Sequence, residues 1–444
     1  LFMELQVLGQ VRKLQQQAAS LLVYQGVLET PPGSAYLHLL NELVDGDEFK
    51  ILRAYGAWFR ALAEQQQSWQ HHLMEQILLS NNPFSEQAQG RSLQDLPVGL
   101  QQAAATDLHR LQQIARSGEP QISQWVKTAA GLEASPVVWE VNAAPPDREI
   151  ETHFQSSADW ATLLPELANH YRQAGTGLFS RYRAFRWQNG TLAGVAHPDP
   201  IRLDALVGYE MQRDALVQNT QALLSGYPAL HVLLYGSRGT GKSSLVKGLL
   251  NEASAVSERL QAHHLLRLVE VSKADLTDLP LIVDRLRVAP QKFIIFVDDL
   301  SFEEDDDAFK ALKVVLEGNV IARPQNVVVY ATSNRRHLVR EYFGDRPRPR
   351  DADEVHSWDS VQEKLSFSDR FGLTLTFEPA NQDTYLAIVH HLAAQSGITL
   401  DTADLEYRAL QWATRHNGRS GRTARQFVDF LQAELKQPGR NPVL

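Results

Sequence analysis

Gly236-Ser237-Arg238-Gly239-Thr240-Gly241-Lys242-Ser243 decides the fold of this chain. The stretch follows the pattern Gly, four residues, Gly-Lys-Ser/Thr. An apolar run, Val232–Tyr235, precedes it, and Ser244-Leu245-Val246-Lys247-Gly248-Leu249-Leu250, with helical spacing, follows. A strand that breaks into glycines and re-forms as a helix suits a polyphosphate. The glycines let the backbone wrap closely and turn successive N–H groups inward. Lys242 supplies a mobile charge near the outer phosphates, and the Ser243 hydroxyl is placed to ligate Mg²⁺. Ser244 opens the helix, whose positive end also favours the anion.

Outward from the loop, short β-branched runs alternate with helical stretches between about residues 200 and 378. Strands are predicted at Val232–Tyr235, Leu266–Val271, Phe293–Val297, Val327–Thr332 and Leu373–Phe377. Their near-continuous apolar character suits a parallel sheet covered on both faces. The third run ends Phe296-Val297-Asp298-Asp299, placing two carboxylates at the ligand-binding edge of such a sheet. Asp298 is expected to hold Mg²⁺, mostly through water, and Asp299 to position or deprotonate an attacking water. Taken without the loop, the same pair would be equally well explained as a turn. Asp305-Asp306-Asp307 precedes a helix with Phe309, Leu312 and Leu316 on one face, closed by Gly318, and reads as capping and solvation.

The flanks are helical. In residues 1 to about 195, Ile51, Tyr55, Trp58, Phe59 and Leu62 recur at three- and four-residue steps. Breaks are expected around Pro31-Pro32-Gly33, Asn81-Asn82-Pro83, Ser117-Gly118-Glu119-Pro120 and Ala144-Pro145-Pro146-Asp147. The triplets Gln15–Gln17 and Gln65–Gln67 read as solvated helix faces. From Asn381 the chain turns helical again, with Ser420 expected to cap a last helix reaching about Lys436. A length of 444 residues implies two or three domains, and 43% hydrophobic with 21% charged residues is a globular composition. A net charge of −9 gives no general attraction to nucleic acid, and the absence of cysteine excludes disulfides, zinc fingers and thiol catalysis. No apolar run reaches bilayer length and no signal peptide is evident at Leu1-Phe2-Met3-Glu4, so a cytoplasmic protein without membrane contact is expected.

The phosphate loop, the acidic strand end, Thr332-Ser333-Asn334, Ser368-Asp369-Arg370-Phe371-Gly372 and Ser420-Gly421-Arg422-Thr423-Ala424-Arg425 occur in the order of an AAA+ ATPase module, which the chain resembles. Phe296 to Glu303, Ala331 to His337 and Asn417 to Phe427 further resemble one bacterial ATP-binding group, the domain of unknown function 815. That likeness covers about residues 200–436 and is weaker in the first half. It implies an α/β fold: a parallel five-stranded P-loop sheet at 196–378 with a C-terminal helical lid at 379–444, preceded by a mostly α-helical domain, 1–195, of unknown role. It implies ATP and Mg²⁺ as ligands, with Gly236, Ser237, Arg238, Gly239, Thr240, Gly241, Lys242, Ser243 and Ser244 around the phosphates, and Leu206-Val207-Gly208-Tyr209-Glu210 against adenine.

The resemblance also implies roles for single residues. Asn334 is the first sensor, which helps orient water. Arg370 is the arginine finger, reaching a neighbouring subunit's nucleotide, with an internal salt bridge to Asp369 or another carboxylate as the competing reading. Arg422 is the second sensor, with Arg419 and Arg425 as competitors. The expected assembly is a homo-oligomeric ring or spiral acting on a macromolecular partner. One departure from the family pattern is Asp299, where most AAA+ proteins carry Glu; slow hydrolysis, or help from Glu303 or Glu304, follows. A slow-turnover switch or loader is the alternative to a motor, and a scaffold without useful turnover is a third reading. The charged stretch from Arg346-Pro347-Arg348-Pro349-Arg350 to Asp359 reads as an exposed insertion. Nucleic acid is possible but not favoured; its best candidate is Arg181, Arg183 and Arg186 interleaved with Tyr182, Phe185 and Trp187, which a helix packing its rings explains equally well.

Overall fold

A computed structural model describes residues 2–141, 149–251, 265–301, 307–317, 324–334, 367–416 and 418–436. The break expected at 144–147, the residues Phe302 to Asp306, Gly318, Arg335, Arg336, His337, the insertion 346–359 and Asn417 lie outside these. Two compact units emerge, Leu1–Arg181 and Tyr182–Leu444.

The first unit is helical. Its third helix, Glu48–Gln65, starts where the Asp47 carboxylate accepts from the Lys50 N–H, and it buries Ile51, Tyr55, Trp58 and Leu62. Phe59 is half-buried. Helices begin at Pro31, Pro83 and Glu119, following the breaks expected there. At Asn82 the cap is reciprocal, because Ser85 returns a bond to the Asn82 backbone. Tyr36 stacks on Trp69 at 4.4 Å between centroids, with Trp58 at the edge of Trp69. Asp107 is fully buried and accepts from the N–H groups of Leu22, Val23 and Tyr24 at 2.8–3.0 Å, which anchors the turn after the first helix. The glutamine triplets are not wholly solvated faces: Gln17 bonds Gln113, and Gln67 bonds Glu75 while its carbonyl takes the Trp139 indole N–H.

The second unit is built on a sheet of seven strands, not the expected five: β1 (Ala184–Gln188), β2 (Thr191–Val195), β3 (Val232–Gly236), β4 (Leu266–Glu270), β5 (Lys292–Val297), β6 (Val327–Ser333) and β7 (Leu373–Phe377), in the order β2-β1-β4-β5-β6-β3-β7. All neighbours are parallel except the hairpin β1–β2. The five expected strands are β3 to β7. The two extra ones come from residues assigned by sequence to the helical half, and contact division at Arg181/Tyr182 places them with the sheet. Phe185 and Trp187 point inward and Arg186 and Gln188 outward, a period of two rather than a helix. Asn189 and Gly190 turn the hairpin at φ of 50° and 73°, the backbone sense that two-residue hairpins require. Arg186 binds Glu270 on β4 at 2.9 Å, the Trp187 N–H donates to Asp278, and the Arg285 guanidinium lies 5.0 Å from the Trp187 ring centre. Phe185 and Trp187 are therefore core residues, unsuited as stacking platforms for bases.

The strands at the centre of the sheet are buried, β6 at all seven positions. Asp307 opens the helix to Glu317, with Leu312 and Leu316 buried. Three C-terminal helices, Gln382–Gln395, Thr402–Arg415 and Gly421–Leu435, pack around Tyr385, Val389, Ala409, Phe427 and Leu431. Ser420 caps the last of them, accepting from the Thr423 N–H at 3.1 Å. No helix among the described residues is long and apolar enough to cross a membrane.

Candidate active site

The phosphate loop leaves β3 at Gly236. Its φ of 136° and the Phe377 carbonyl, 2.0 Å from where a Cβ would stand, admit only glycine. Ser237 N–H binds that same carbonyl, tying the loop to β7. Gly239 (φ 77°) runs beneath the C-terminal bundle. A Cβ there would meet Ser420 Oγ at 2.9 Å, and the Gly239 carbonyl accepts from the Arg422 N–H at 3.3 Å. The last C-terminal helix thus begins on top of the loop.

Lys242 opens the loop's helix, Lys242–Gly248, and Thr240 braces the turn before it through the Ser237 carbonyl. The Lys242 ammonium donates to the carbonyls of Gly236 (2.9 Å) and Ser237 (2.6 Å). Burial lowers the pKa of this ammonium, while Asp298 and Asp299 pull it the other way.

The strand order places β6 between β3 and β5, so the acidic strand end faces the loop across the width of one strand. Ser243 Oγ donates to Asp298 Oδ1 at 2.6 Å, and Thr332 Oγ1 donates to the same oxygen at 2.5 Å. Asp299 adopts a left-handed backbone, φ 51°, with its N–H on Thr332 Oγ1 at 2.9 Å. Its carboxylate accepts from Asn334 Nδ2 at 2.6 Å. A serine hydroxyl beside a carboxylate is an all-oxygen donor pair, the chemistry a hard cation such as Mg²⁺ takes. The residues present therefore fit that ion.

These groups line one cleft of about 650 Å³. Arg238, Arg422 and Arg425 also line it, and their guanidinium groups make no ion pair or hydrogen bond among the described residues. Arg419 is not on the cleft wall and donates to Gln382 at 3.0 Å. The apolar part of the cleft wall is formed by Leu206, Val207, Tyr209, Phe377, Ile388 and Leu392. Tyr209 is fixed by its hydroxyl on the Glu378 carbonyl (2.7 Å) and its ring 5.1 Å from Phe377; burial raises its phenol pKa. Gly208, at φ 94°, directs its N–H to the Glu210 carboxylate and makes the bend between Val207 and Tyr209. Gly236 and Ser237 lie behind the wall, acting through the carbonyls that hold Lys242.

Arg370 is elsewhere. It ends a short 3-10 turn, Phe367–Arg370, and its guanidinium pairs with Glu317 at 2.8 Å, so it has an internal carboxylate partner, though not Asp369. Three polar side chains of the cleft carry no role expected from the sequence: Arg213, Gln426 and Thr332. Arg213 follows Tyr209 by one helical turn, which puts the pair on a common face, and Thr332 near the end of β6 precedes Asn334, just past that end, by two residues.

A P-loop strand flanked by the last strand on one side and by the strand that leads to Asn334 on the other, with helices seated on the loop, is the arrangement of an AAA+ P-loop ATPase. Within that class the chain belongs to the family described as protein of unknown function (DUF815), whose sequence model matches residues 180–435. Among solved structures it is similar to the Thermotoga maritima RuvB Holliday junction branch migration motor, at 16% identity over 53% of this chain and 66% of that one, with a TM-score of 0.36. It is also similar to the FIGL-1 AAA domain in complex with ADP, at 17% identity over 54% and 75% of the two chains, with a TM-score of 0.35. The chain thus spans about two thirds of the RuvB chain. No curated protein matches it.

Proposed function

We propose that this chain binds ATP with Mg²⁺ in the cleft, hydrolyses it, and uses the resulting movement of the C-terminal bundle to remodel or move a macromolecular partner. Supporting this is the presence in a single cleft of Lys242, the Ser243–Asp298 pair, the Asp299–Asn334 pair and three guanidinium groups without partners among the described residues. Five cationic side chains, Arg213, Arg238, Lys242, Arg422 and Arg425, line the cleft against the carboxylates Asp298 and Asp299, an excess of positive charge that a polyanion would neutralise. The apolar wall that includes Val207, Tyr209 and Leu392 suits a flat base.

In this reading Ser243 and Asp298 would hold the Mg²⁺, which supplies charge to the phosphate oxygens. Lys242 exchanges its loop carbonyls for phosphate oxygen. Asp299 orients the attacking water and takes its proton. Asn334 fixes the Asp299 carboxylate through the 2.6 Å bond. Arg238, Arg422 and Arg425 neutralise the terminal phosphate, so that the bundle closes on ATP more tightly than on ADP. Arg422→Ala and Arg425→Ala should each weaken ATP by roughly tenfold, in keeping with one charge-assisted bond. Arg419→Ala should leave affinity within about twofold. Calorimetric titration decides it; a large loss at Arg419 alone would transfer the lid contact to that residue.

Arg370 acts in trans in this scheme, exchanging Glu317 for the nucleotide of a neighbouring copy in a head-to-tail ring or spiral. Arg370→Ala should bind ATP normally and turn it over at least about 100-fold more slowly. Mixed with Lys242→Ala, it should regain activity, because each variant supplies what the other lacks. No recovery at any mixing ratio would place Arg370 outside the shared site. A slow-turnover switch that grips its partner in the ATP state is the second reading. It is favoured by Asp299, whose carboxylate is one methylene shorter than that of Glu and is already engaged by Asn334.

A further inference from the structure

Thr332 is 2% exposed, near the end of β6, and nothing in the scheme above gives it work. Its hydroxyl has one proton and two lone pairs, and both kinds of capacity are used. An ionised Asp298 only accepts and a backbone N–H only donates, so the Thr332 proton must point to Asp298 Oδ1 and a lone pair must face Asp299 N. One side chain therefore holds both aspartates, one by its carboxylate and the other by its backbone. The register that pairs Val297 with Ala331 brings Asp298 and Thr332 side by side. The Thr332 carbonyl also takes the Leu300 N–H at 2.7 Å, so three bonds fix the turn from Asp298 to Leu300.

The middle residue of that turn is Asp299 at φ 51°. A residue with a Cβ holds a left-handed backbone only when its surroundings over-determine it. Here the Thr332–Asp299 N–H bond is the constraint on the left-handed residue itself, the Leu300 bonds holding its far side, and the backbone direction so set carries the short carboxylate to Asn334, just past the end of β6. Aim set by the backbone stands in for the reach a glutamate would have.

We infer that Thr332 is the positioning residue of this site: its hydroxyl sets the left-handed turn that aims Asp299 at the attacking water and at the same time orients Asp298 toward the metal side. The inference rests on the hydrolytic reading above for its kinetic consequence, but not for its geometric one. Thr332→Val keeps the β-branched shape and removes the hydroxyl; Thr332→Ala removes it without the branch; Thr332→Ser keeps it. Asp298 and Asp299 face solvent, so neither becomes a buried unpaired charge, and the expected loss is of aim rather than of fold.

The test measures, on the full chain, ATP affinity, phosphate release under saturating Mg-ATP, and hydrogen exchange of the segment containing the Asp299 and Leu300 amides. With valine or alanine, release should fall at least about 30-fold while ATP affinity changes less than about threefold, and amide exchange should accelerate at least about tenfold. Serine should restore both. A purely structural cross-link would lower affinity and turnover together. Wild-type release from Thr332→Val, failure of serine to rescue, or undiminished amide protection overturns the inference. If the wild-type chain binds ATP without releasing phosphate, the hydrolytic reading fails by itself, and amide exchange with its serine rescue still decides whether Thr332 holds the turn.

Discussion

Replacing Lys242 by Ala should remove measurable ATP binding, a loss of at least about 100-fold, because one residue supplies a buried charge that nothing nearby replaces. The ammonium lies in the floor of the loop, only 7% exposed, bonded to two carbonyls of the chain it serves. Burial already biases it against its charge, which Asp298 and Asp299 restore in part. A triphosphate completes that compensation, so the charge is worth more with ligand than without it. The neighbouring cations cannot take its place: Arg238 is on the exposed rim, and Arg422 and Arg425 come from the bundle above. Thermal unfolding of the variant should stay close to wild type, since the two lost bonds join neighbouring parts of one loop. Retained micromolar-class affinity in a folded Lys242→Ala protein would remove the phosphate-loop assignment.

Asp299→Asn should separate binding from turnover. Asn is among the residues that tolerate a left-handed backbone, so the turn at φ 51° and the Thr332 bond survive. The side-chain oxygen can still accept from Asn334. Only the capacity to take a proton is lost, and release of phosphate should fall by about 10²–10⁴-fold with affinity unchanged. Loaded with ATP, this form should also hold its macromolecular partner, which makes it the bait for capturing one. Unchanged hydrolysis would move the base to another carboxylate.

Much of this site could be read from sequence because its chemistry is local. The loop from Gly236 to Ser243 would bind through its own backbone and two side chains, and β4 to β6 are buried on both faces, so they read as apolar runs. The hairpin was legible too, in the alternation Phe185-Arg186-Trp187-Gln188 and the Asn189-Gly190 turn, but the run of arginines and rings invites a helical reading. What sequence could not give depends on register and on packing between distant elements. Thr332 meets Asp298 and Asp299 only because β5 and β6 align as they do. Arg370 meets Glu317 because the short turn before the last strand packs beside the helix Asp307–Glu317, far from it in sequence. Choosing among Arg419, Arg422 and Arg425 required the seat of the last helix on Gly239, which turns Arg422 and Arg425 to the cleft and leaves Arg419 with Gln382.

The central claim is that this cleft turns over ATP with Mg²⁺. Phosphate release from ATP by the 444-residue chain, with Mg²⁺ and with a chelator, alongside Asp299→Asn, tests it most directly. Release that requires Mg²⁺ and vanishes in Asp299→Asn, while both proteins bind ATP, is the predicted result. Equal release from both proteins, or none from a wild-type chain saturated with Mg-ATP over a wide range of protein concentration, would contradict it.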